Sequence, residues 1–91
     1  MSRYDNKLET LRDDVETLRQ VWSDYFRGPV PPASQFATWL RMYPIDICAE
    51  GFQAGARWIG RGGRQDTDAL VRYTSAVMRN KKQNRELDND F

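Results

Sequence analysis

The residues with the clearest chemical potential are the basic side chains of the C-terminal half. Residues 50–85 contain eight lysines and arginines and three acidic residues, whereas residues 1–26 and the last six residues are net acidic. A basic segment between acidic ends predicts an anionic partner. Three interpretations are open: a nucleic-acid-binding surface, a surface for an acidic protein, and a helix face whose charges are only solvated. The residues predicted to contact phosphate are Arg61, Arg64, Arg72, Arg79 and Lys82.

Two aromatic residues lie in the same basic segment. Trp58 precedes a short Arg-Gly-Gly sequence, and Tyr73 follows it. Charge for phosphates and a ring on which a base can stack are the ingredients of a nucleic-acid surface. Both rings also fit positions in a helical core, so the sequence leaves the two interpretations open.

Catalytic chemistry has little support in this sequence. The chain contains no histidine and one cysteine, Cys48, which removes zinc fingers, Ser-His-Asp triads, Cys-His dyads and intrachain disulfides. Cys48 lies between two apolar residues and is predicted to be a small core residue. The glycines around Arg61 follow no strand pattern and lack the spacing of a phosphate-binding loop. We expect no enzyme activity, no cofactor, no metal and no small-molecule substrate.

The size and hydropathy of the chain predict one soluble domain. The chain has 91 residues, of which 40% are hydrophobic and 30% charged. No run approaches the roughly 18 apolar residues that a membrane span needs. The N-terminal residues lead into a charged stretch without the apolar region of a secretory signal. These features predict a cytoplasmic protein that is not in the membrane.

Helical periodicity of apolar residues predicts an all-α fold, a small four-helix bundle. A long helix spans 4–27, a proline-rich connection 28–33, a three-helix part 34–82 and a frayed tail 83–91. No stretch alternates apolar and polar residues as strands do.

Capping residues predict the helix boundaries. Gly28 and Pro29 end the first helix, and Ser34 is predicted to cap the second. Pro44 ends the second helix and is predicted to open the third at its first position, while Asp66 caps the last.

The predicted inward faces use the same periodicity. The last helix turns Leu70, Tyr73, Thr74 and Val77 inward and Arg72, Arg79 and Lys82 outward. In the third helix, small residues at 51 and 55 are expected to permit close helix approach. Its predicted inward face is Ile45, Cys48, Phe52, Ala56 and Ile59.

The first helix has heptad spacing for about three repeats, which allows two interpretations. In one, it packs over the other three helices of the same chain. In the other, it self-associates as a coiled coil and the protein is a homodimer. The predicted interface residues are Leu8, Leu11, Val15 and Leu18.

Residues 33–85 resemble the C-terminal helical domain of DnaD-like primosome proteins, which include phage replisome organisers. That family closes with a helix bearing a Tyr-x-x-x-Ile-Leu-x-x-Trp motif. Tyr73, Val77 and Met78 match it, while Lys81 stands where the family has tryptophan. The resemblance implies a DNA-binding accessory protein of replication, from a bacterial or mobile-element genome, without a catalytic site.

A second functional hypothesis is a protein-interaction module, such as a small helical adaptor or inhibitor of a phage or mobile element. It self-associates through the first helix and presents Phe36, Trp39 and Tyr43, or the basic helix, to a protein partner. Aromatic residues and arginine are enriched at binding hot spots.

Overall fold

The chain folds into four helices joined by short connections. The structure is a computed structural model that describes residues 3–63 and 66–89, with side chains over 10–63 and 66–86. The helices are α1 (Arg3–Tyr25), α2 (Ala33–Met42), α3 (Ile45–Gly60) and α4 (Thr67–Asn89), and the described ranges contain no strand. The predicted all-α four-helix bundle is therefore confirmed. No helix in these ranges is both long and apolar enough to cross a membrane.

The connection between α1 and α2 differs slightly from the prediction at both ends. α1 ends at Tyr25, two residues before the predicted end, and Gly28 follows with a φ of 117°, a conformation that other residues rarely adopt. The predicted cap Ser34 is wrong, because Pro32 occupies the N-cap with an extended ψ of 156°. Its carbonyl accepts the Gln35 N–H at 2.9 Å. Proline already has the φ that an N-cap residue can use, so the helix starts before the serine.

The next two helix starts also follow from local chemistry. Pro44 is the N-cap of α3 with a ψ of 153°, and not its first helical residue as predicted. Asp66 caps α4 as predicted: its carboxylate accepts the Asp68 N–H at 3.3 Å and its carbonyl accepts the Leu70 N–H at 2.9 Å. A carboxylate here satisfies one of the free N–H groups of the first turn.

Aromatic rings form the core where α1, α2 and α3 meet. The Trp22 ring centroid lies 5.2 Å from that of Phe52, 6.1 Å from Trp39 and 6.2 Å from Phe36. The indole N–H of Trp39 donates to the Ser75 hydroxyl at 2.9 Å, which connects this core to α4. The buried hydrophobic residues are Leu18, Trp22, Phe26, Phe36, Trp39, Tyr43, Ile47, Cys48, Phe52, Leu70 and Met78.

The inward face of α3 differs from the predicted one. Cys48 and Phe52 are buried as expected, but Ile45 is 36% exposed and Ile47 is fully buried. The buried face also includes two glycines, so it is wider and turned toward α4. The periodicity assigned Ile45 to the core, and Ile47 lies about 200° further around the helix, so only one of the two can face inward. The full set of buried residues on α3 is Ile47, Cys48, Gly51, Phe52 and Gly55.

The two glycines of α3 allow α4 to approach its backbone, as the sequence indicated. A Cβ at Gly51 would lie 2.8 Å from Met78 Cγ, and a Cβ at Gly55 would lie 2.9 Å from Thr74 Cγ2. Both distances are below ordinary van der Waals contact. Side chains of α4 therefore pack directly on the backbone of α3.

The last helix extends beyond the predicted end at residue 82, because α4 continues to Asn89. Arg85 Nη2 lies 3.1 Å from Asp46 Oδ2, so an ion pair joins the last turns of α4 to the first turn of α3. The polar composition that suggested fraying reflects contacts between charged side chains instead. Residues 90 and 91 lie outside the described part of the chain.

Candidate nucleic-acid interface

The outward side of α4 carries an exposed pair of arginines. Arg72 and Arg79 are separated by seven residues, which places them about 10.5 Å apart along the axis and about 20° apart around it. Both are exposed, and neither forms an ion pair or hydrogen bond within the described residues. We call this pair, with Lys82 at its edge, the outer stripe. Its two guanidinium groups are available to an anionic partner.

Lys82 is held against α2. Its Nζ donates to the Met42 carbonyl at 3.1 Å, lies 5.7 Å from the centroid of the Tyr43 ring and lies 4.0 Å from Glu86 Oε1. An ammonium group at the C-terminal carbonyls of a helix is favourable because it faces the negative end of the helix dipole. Lys82 is thus half-buried and partly neutralised, and it is less available to phosphate than the two arginines.

Two other cations of α4 are paired with acids of α3. Lys81 Nζ lies 3.8 Å from Glu50 Oε2, and Arg85 pairs with Asp46 at 3.1 Å. The hydrogen bond from Arg85 lowers the pKa of the Asp46 carboxyl below its ordinary 3.8. Counting charges along the sequence missed this pairing, since Asp46 lies outside the basic segment. The positive charge of that segment is therefore concentrated on fewer side chains than its composition suggests.

The Arg-Gly-Gly sequence forms a helix C-cap. The Gly63 N–H donates to the Trp58 carbonyl at 2.9 Å, the Gly62 N–H donates to the Ile59 carbonyl at 3.0 Å, and Gly62 has a φ of 99°. These two bonds and the positive φ define a Schellman motif that ends α3. Both glycines therefore have a structural explanation, which the pattern Gly-Arg-Gly-Gly after a predicted helix could have indicated.

Arg61 is the C-cap residue of this motif and its side chain is exposed. Within the described residues, no hydrogen bond or ion pair connects Arg61 with the outer stripe. Arg64, the other predicted phosphate contact in the loop, lies outside the described residues. The structure thus groups Arg72 and Arg79 and leaves Arg61 on a different helix.

The two aromatic residues near the basic segment stack on each other. The rings of Trp58 and Tyr73 are nearly parallel, with an interplanar angle of 8° and centroids 4.5 Å apart. Gly63 also lies against the indole, because a Cβ built on it would fall 2.4 Å from Trp58 Cδ2. Both rings are half-buried. They join the end of α3 to the start of α4.

The predicted self-association residues divide into three groups. Leu18 is fully buried in the chain's own core, so its assignment to an interface is wrong for this fold. Leu11 and Val15 are half-buried beside α2. The side chain of Leu8 lies outside the described set. The C-terminal half of the heptad pattern therefore packs within the chain. This agrees with the interpretation in which the first helix covers the other three helices of the same chain.

The aromatic surface expected for a protein-interaction module is also wrong. Phe36, Trp39 and Tyr43 are all buried, because α2 turns its apolar side toward α1 and α3. The exposed apolar side chains lie next to them instead: Met42 is 49% exposed and Ile45 is 36% exposed. The apolar pattern of α2 identified the correct face of the helix. It did not show that α1 and α3 of the same chain cover that face.

An apolar depression of about 500 Å³ lies at this end of the bundle. Leu11 and Asp14 of α1 line it together with Leu40 of α2 and Ile45 of α3. This depression was not expected from the sequence, because it depends on how α1 crosses α2.

Cys48 is a core residue, as predicted. It is fully buried, and its Sγ lies 4.0 Å from the Tyr43 carbonyl oxygen, to which the thiol donates. Burial raises the pKa of the Cys48 thiol to about 12, so the thiolate is not formed at neutral pH. Over the described residues, no three His, Cys, Asp or Glu side chains group to hold a metal ion.

Comparison with known proteins found no relative of this chain. No protein-family model, no characterised protein and no solved structure matches the chain. The residues that resemble the DnaD-like motif have structural roles here: Tyr73 stacks on Trp58, Met78 is buried and Lys81 pairs with Glu50. The resemblance stays a prediction from the sequence.

Proposed function

We propose that this chain is a non-catalytic binding protein that contacts the phosphate backbone of DNA through the outer stripe of α4. The observation that carries the proposal is the exposure of Arg72 and Arg79 on one side of a helix without acidic partners in the described residues. An arginine that is not paired within its own chain keeps its full charge for a phosphate. We add a role in replication to this proposal, and only the resemblance to DnaD-like proteins supports that addition.

The arrangement of charges on α4 supports this choice over a uniformly solvated helix. Lys81 and Arg85 are held by acids of α3, whereas the two outer arginines have no such partners. The two arginines lie about 10.5 Å apart along the same side of one helix, so both can contact one stretch of nucleic-acid backbone at the same time. Contacts of this kind position a protein on DNA without reading its sequence.

The test compares two variants that lose the same charge from the same helix. Arg72→Gln/Arg79→Gln removes the exposed pair, and Lys81→Gln/Arg85→Gln removes the pair that acids neutralise. Binding to a labelled duplex is measured by fluorescence anisotropy at salt concentrations from about 50 to about 200 mM. Phosphate contacts weaken strongly over this range. The first variant should flatten the slope of log affinity against log salt by about 1.8, since each phosphate contact contributes about 0.9.

The control variant should keep most of that slope. Circular dichroism checks that both variants remain folded. Equal losses in the two variants would show that binding depends on overall charge, and the outer stripe would then not be the site. No binding by the parent chain at the lowest salt would refute the proposed function.

A second candidate function, a protein-interaction module, is favoured by a different observation. The apolar depression beside Leu11 and Ile45, next to the exposed Met42, is the kind of surface that apolar anchors of a protein partner fill. Such binding should change little with salt, whereas phosphate binding should weaken steeply. Light scattering at two salt concentrations, with the Met42→Glu variant as comparison, detects self-association through this end of the bundle.

A further inference from the structure

We infer that the nucleic acid bound by the outer stripe is double-stranded, and that the chain holds it through phosphates without stacking bases on its own rings. This inference rests on the proposed function and specifies its ligand. The evidence for it is the position of the described aromatic side chains relative to the exposed arginines.

Most of the described rings are committed to the core. Single-strand binding sites combine a basic groove with exposed aromatic rings on which successive bases stack. Here five large rings pack against one another with centroids 4.5 to 6.2 Å apart, and each is at most 6% exposed. These rings are Trp22, Phe26, Phe36, Trp39 and Phe52.

The pair nearest the arginines in sequence is stacked internally. Tyr73 covers one face of the Trp58 indole, and the backbone of Gly63 lies against the same indole. A base that used the covered face would have to separate the two rings and disturb the cap of α3. Such a ring pair stabilises the fold and is not a ready platform for a base.

The one exposed ring within the described side chains lies on a different helix. Tyr25 is 45% exposed at the end of α1, where it neighbours Phe26 and Ile59. Arg72 and Arg79 project from α4 roughly 160° and 140° around its axis from the buried Thr74. Thr74 marks the side of α4 that packs on α3, so the outer stripe points away from the other helices.

The outer stripe also suits a ligand of fixed shape. Its two arginines extend from one helix of 23 residues, so their backbone positions are fixed relative to each other. A duplex presents phosphates at regular spacing, whereas a flexible strand has to be ordered on binding, which opposes association. Among the described side chains, no exposed ring lies beside the outer stripe, so a single strand has no stacking contact there to offset this ordering.

The experiment uses the full chain and three labelled probes: a duplex of about 20 base pairs, a single strand of about 20 nucleotides of mixed sequence, and a polyglutamate peptide. The duplex is about two turns of DNA long. We expect the duplex to bind at least about tenfold tighter than the strand. With two phosphate contacts, duplex affinity should fall about 12-fold between 50 and 200 mM salt. A second duplex of unrelated sequence should bind equally well.

Each of the other outcomes contradicts the inference, the proposed function or both. Equal or tighter binding of the single strand contradicts the inference and leaves the proposed function intact. Binding of neither nucleic acid refutes both. Polyglutamate binding as tight as the duplex would identify an acidic protein surface as the partner class. The Arg72→Gln/Arg79→Gln variant should lose duplex binding, and retained binding would place the contact elsewhere on the chain.

Discussion

Replacing Gly55 with alanine tests the close packing of α3 on α4. The new Cβ would lie 2.9 Å from Thr74 Cγ2 and 3.1 Å from Phe26 Cζ. Neither neighbour moves easily. Thr74 is β-branched and fully buried, and its hydroxyl donates to the Leu70 carbonyl at 2.8 Å. Phe26 is 6% exposed and packs against the core rings. The methyl group therefore enters occupied space.

Two opposing effects set the expected size of the change. Alanine stabilises a helix interior relative to glycine by about 1 kcal/mol. Overpacking a well-filled core costs about 1–3 kcal/mol. We expect Gly55→Ala to lower the free energy of unfolding by about 1 kcal/mol, which for a domain of this size lowers Tm by about 4–8 °C.

Gly60→Ala is the matched control in the same helix. No atom lies within 4 Å of a Cβ built there, so only the gain in helix propensity remains. This variant should be more stable than the parent by about 0.5 kcal/mol. Urea unfolding followed by circular dichroism measures both variants, with an unchanged dependence on urea as the sign that the unfolded state is unaffected.

A second substitution identifies the atom responsible. Thr74→Ser removes Cγ2 and keeps the hydroxyl, so Gly55→Ala should cost less in that background, with a coupling of about 0.5–1 kcal/mol. Stabilisation by Gly55→Ala equal to that by Gly60→Ala would show that the methyl group finds free space. Additive effects of the substitutions at 55 and 74 would show that this contact does not limit the approach of the helices.

Three further predictions concern single contacts. Arg85→Gln removes the group that lowers the pKa of Asp46, so it should reduce stability at neutral pH. This difference from the parent should shrink as pH falls from 3.8 through the lower pKa that the carboxyl has in the folded protein, and its persistence in urea titrations below that pKa would contradict the assignment. Cys48, with its pKa of about 12, should react with iodoacetamide only on unfolding, and fast labelling of the folded chain would show that the thiol is accessible. Ser75→Ala leaves the buried Trp39 N–H without its acceptor and should cost about 1–3 kcal/mol in urea unfolding, an effect that should largely disappear in a Trp39→Phe background.

The sequence predicted the number and order of the helices well because strong local signals end them. Gly28 with Pro29, the proline at 44 and the cap Asp66 act within a few residues, and each lies within four residues of a helix boundary in the structure. Ser34 failed because two local signals competed, and Pro32 already satisfied the requirement two residues earlier.

The candidate site was less predictable because it depends on contacts between helices. The exposure of Arg72 follows from the helical period alone. The pairing of Arg85 with Asp46 joins residues 39 positions apart and is not visible in local charge counts. Likewise, the rings of Trp58 and Tyr73 were candidates for base stacking until the antiparallel arrangement of α3 and α4 placed them on each other.

The glycine contact between α3 and α4 also restricts how this protein can diverge. At Gly51 and Gly55 the partner side chains meet backbone, so a larger residue on α3 requires a smaller residue facing it on α4. Exchanges at the flanking contacts are less restricted, because the charges of Glu50 and Lys81 can be swapped without moving the helices. Related sequences should therefore keep glycine at both positions or change it together with the facing residue of α4, and should vary together at the charged pairs, whatever their outer surface binds.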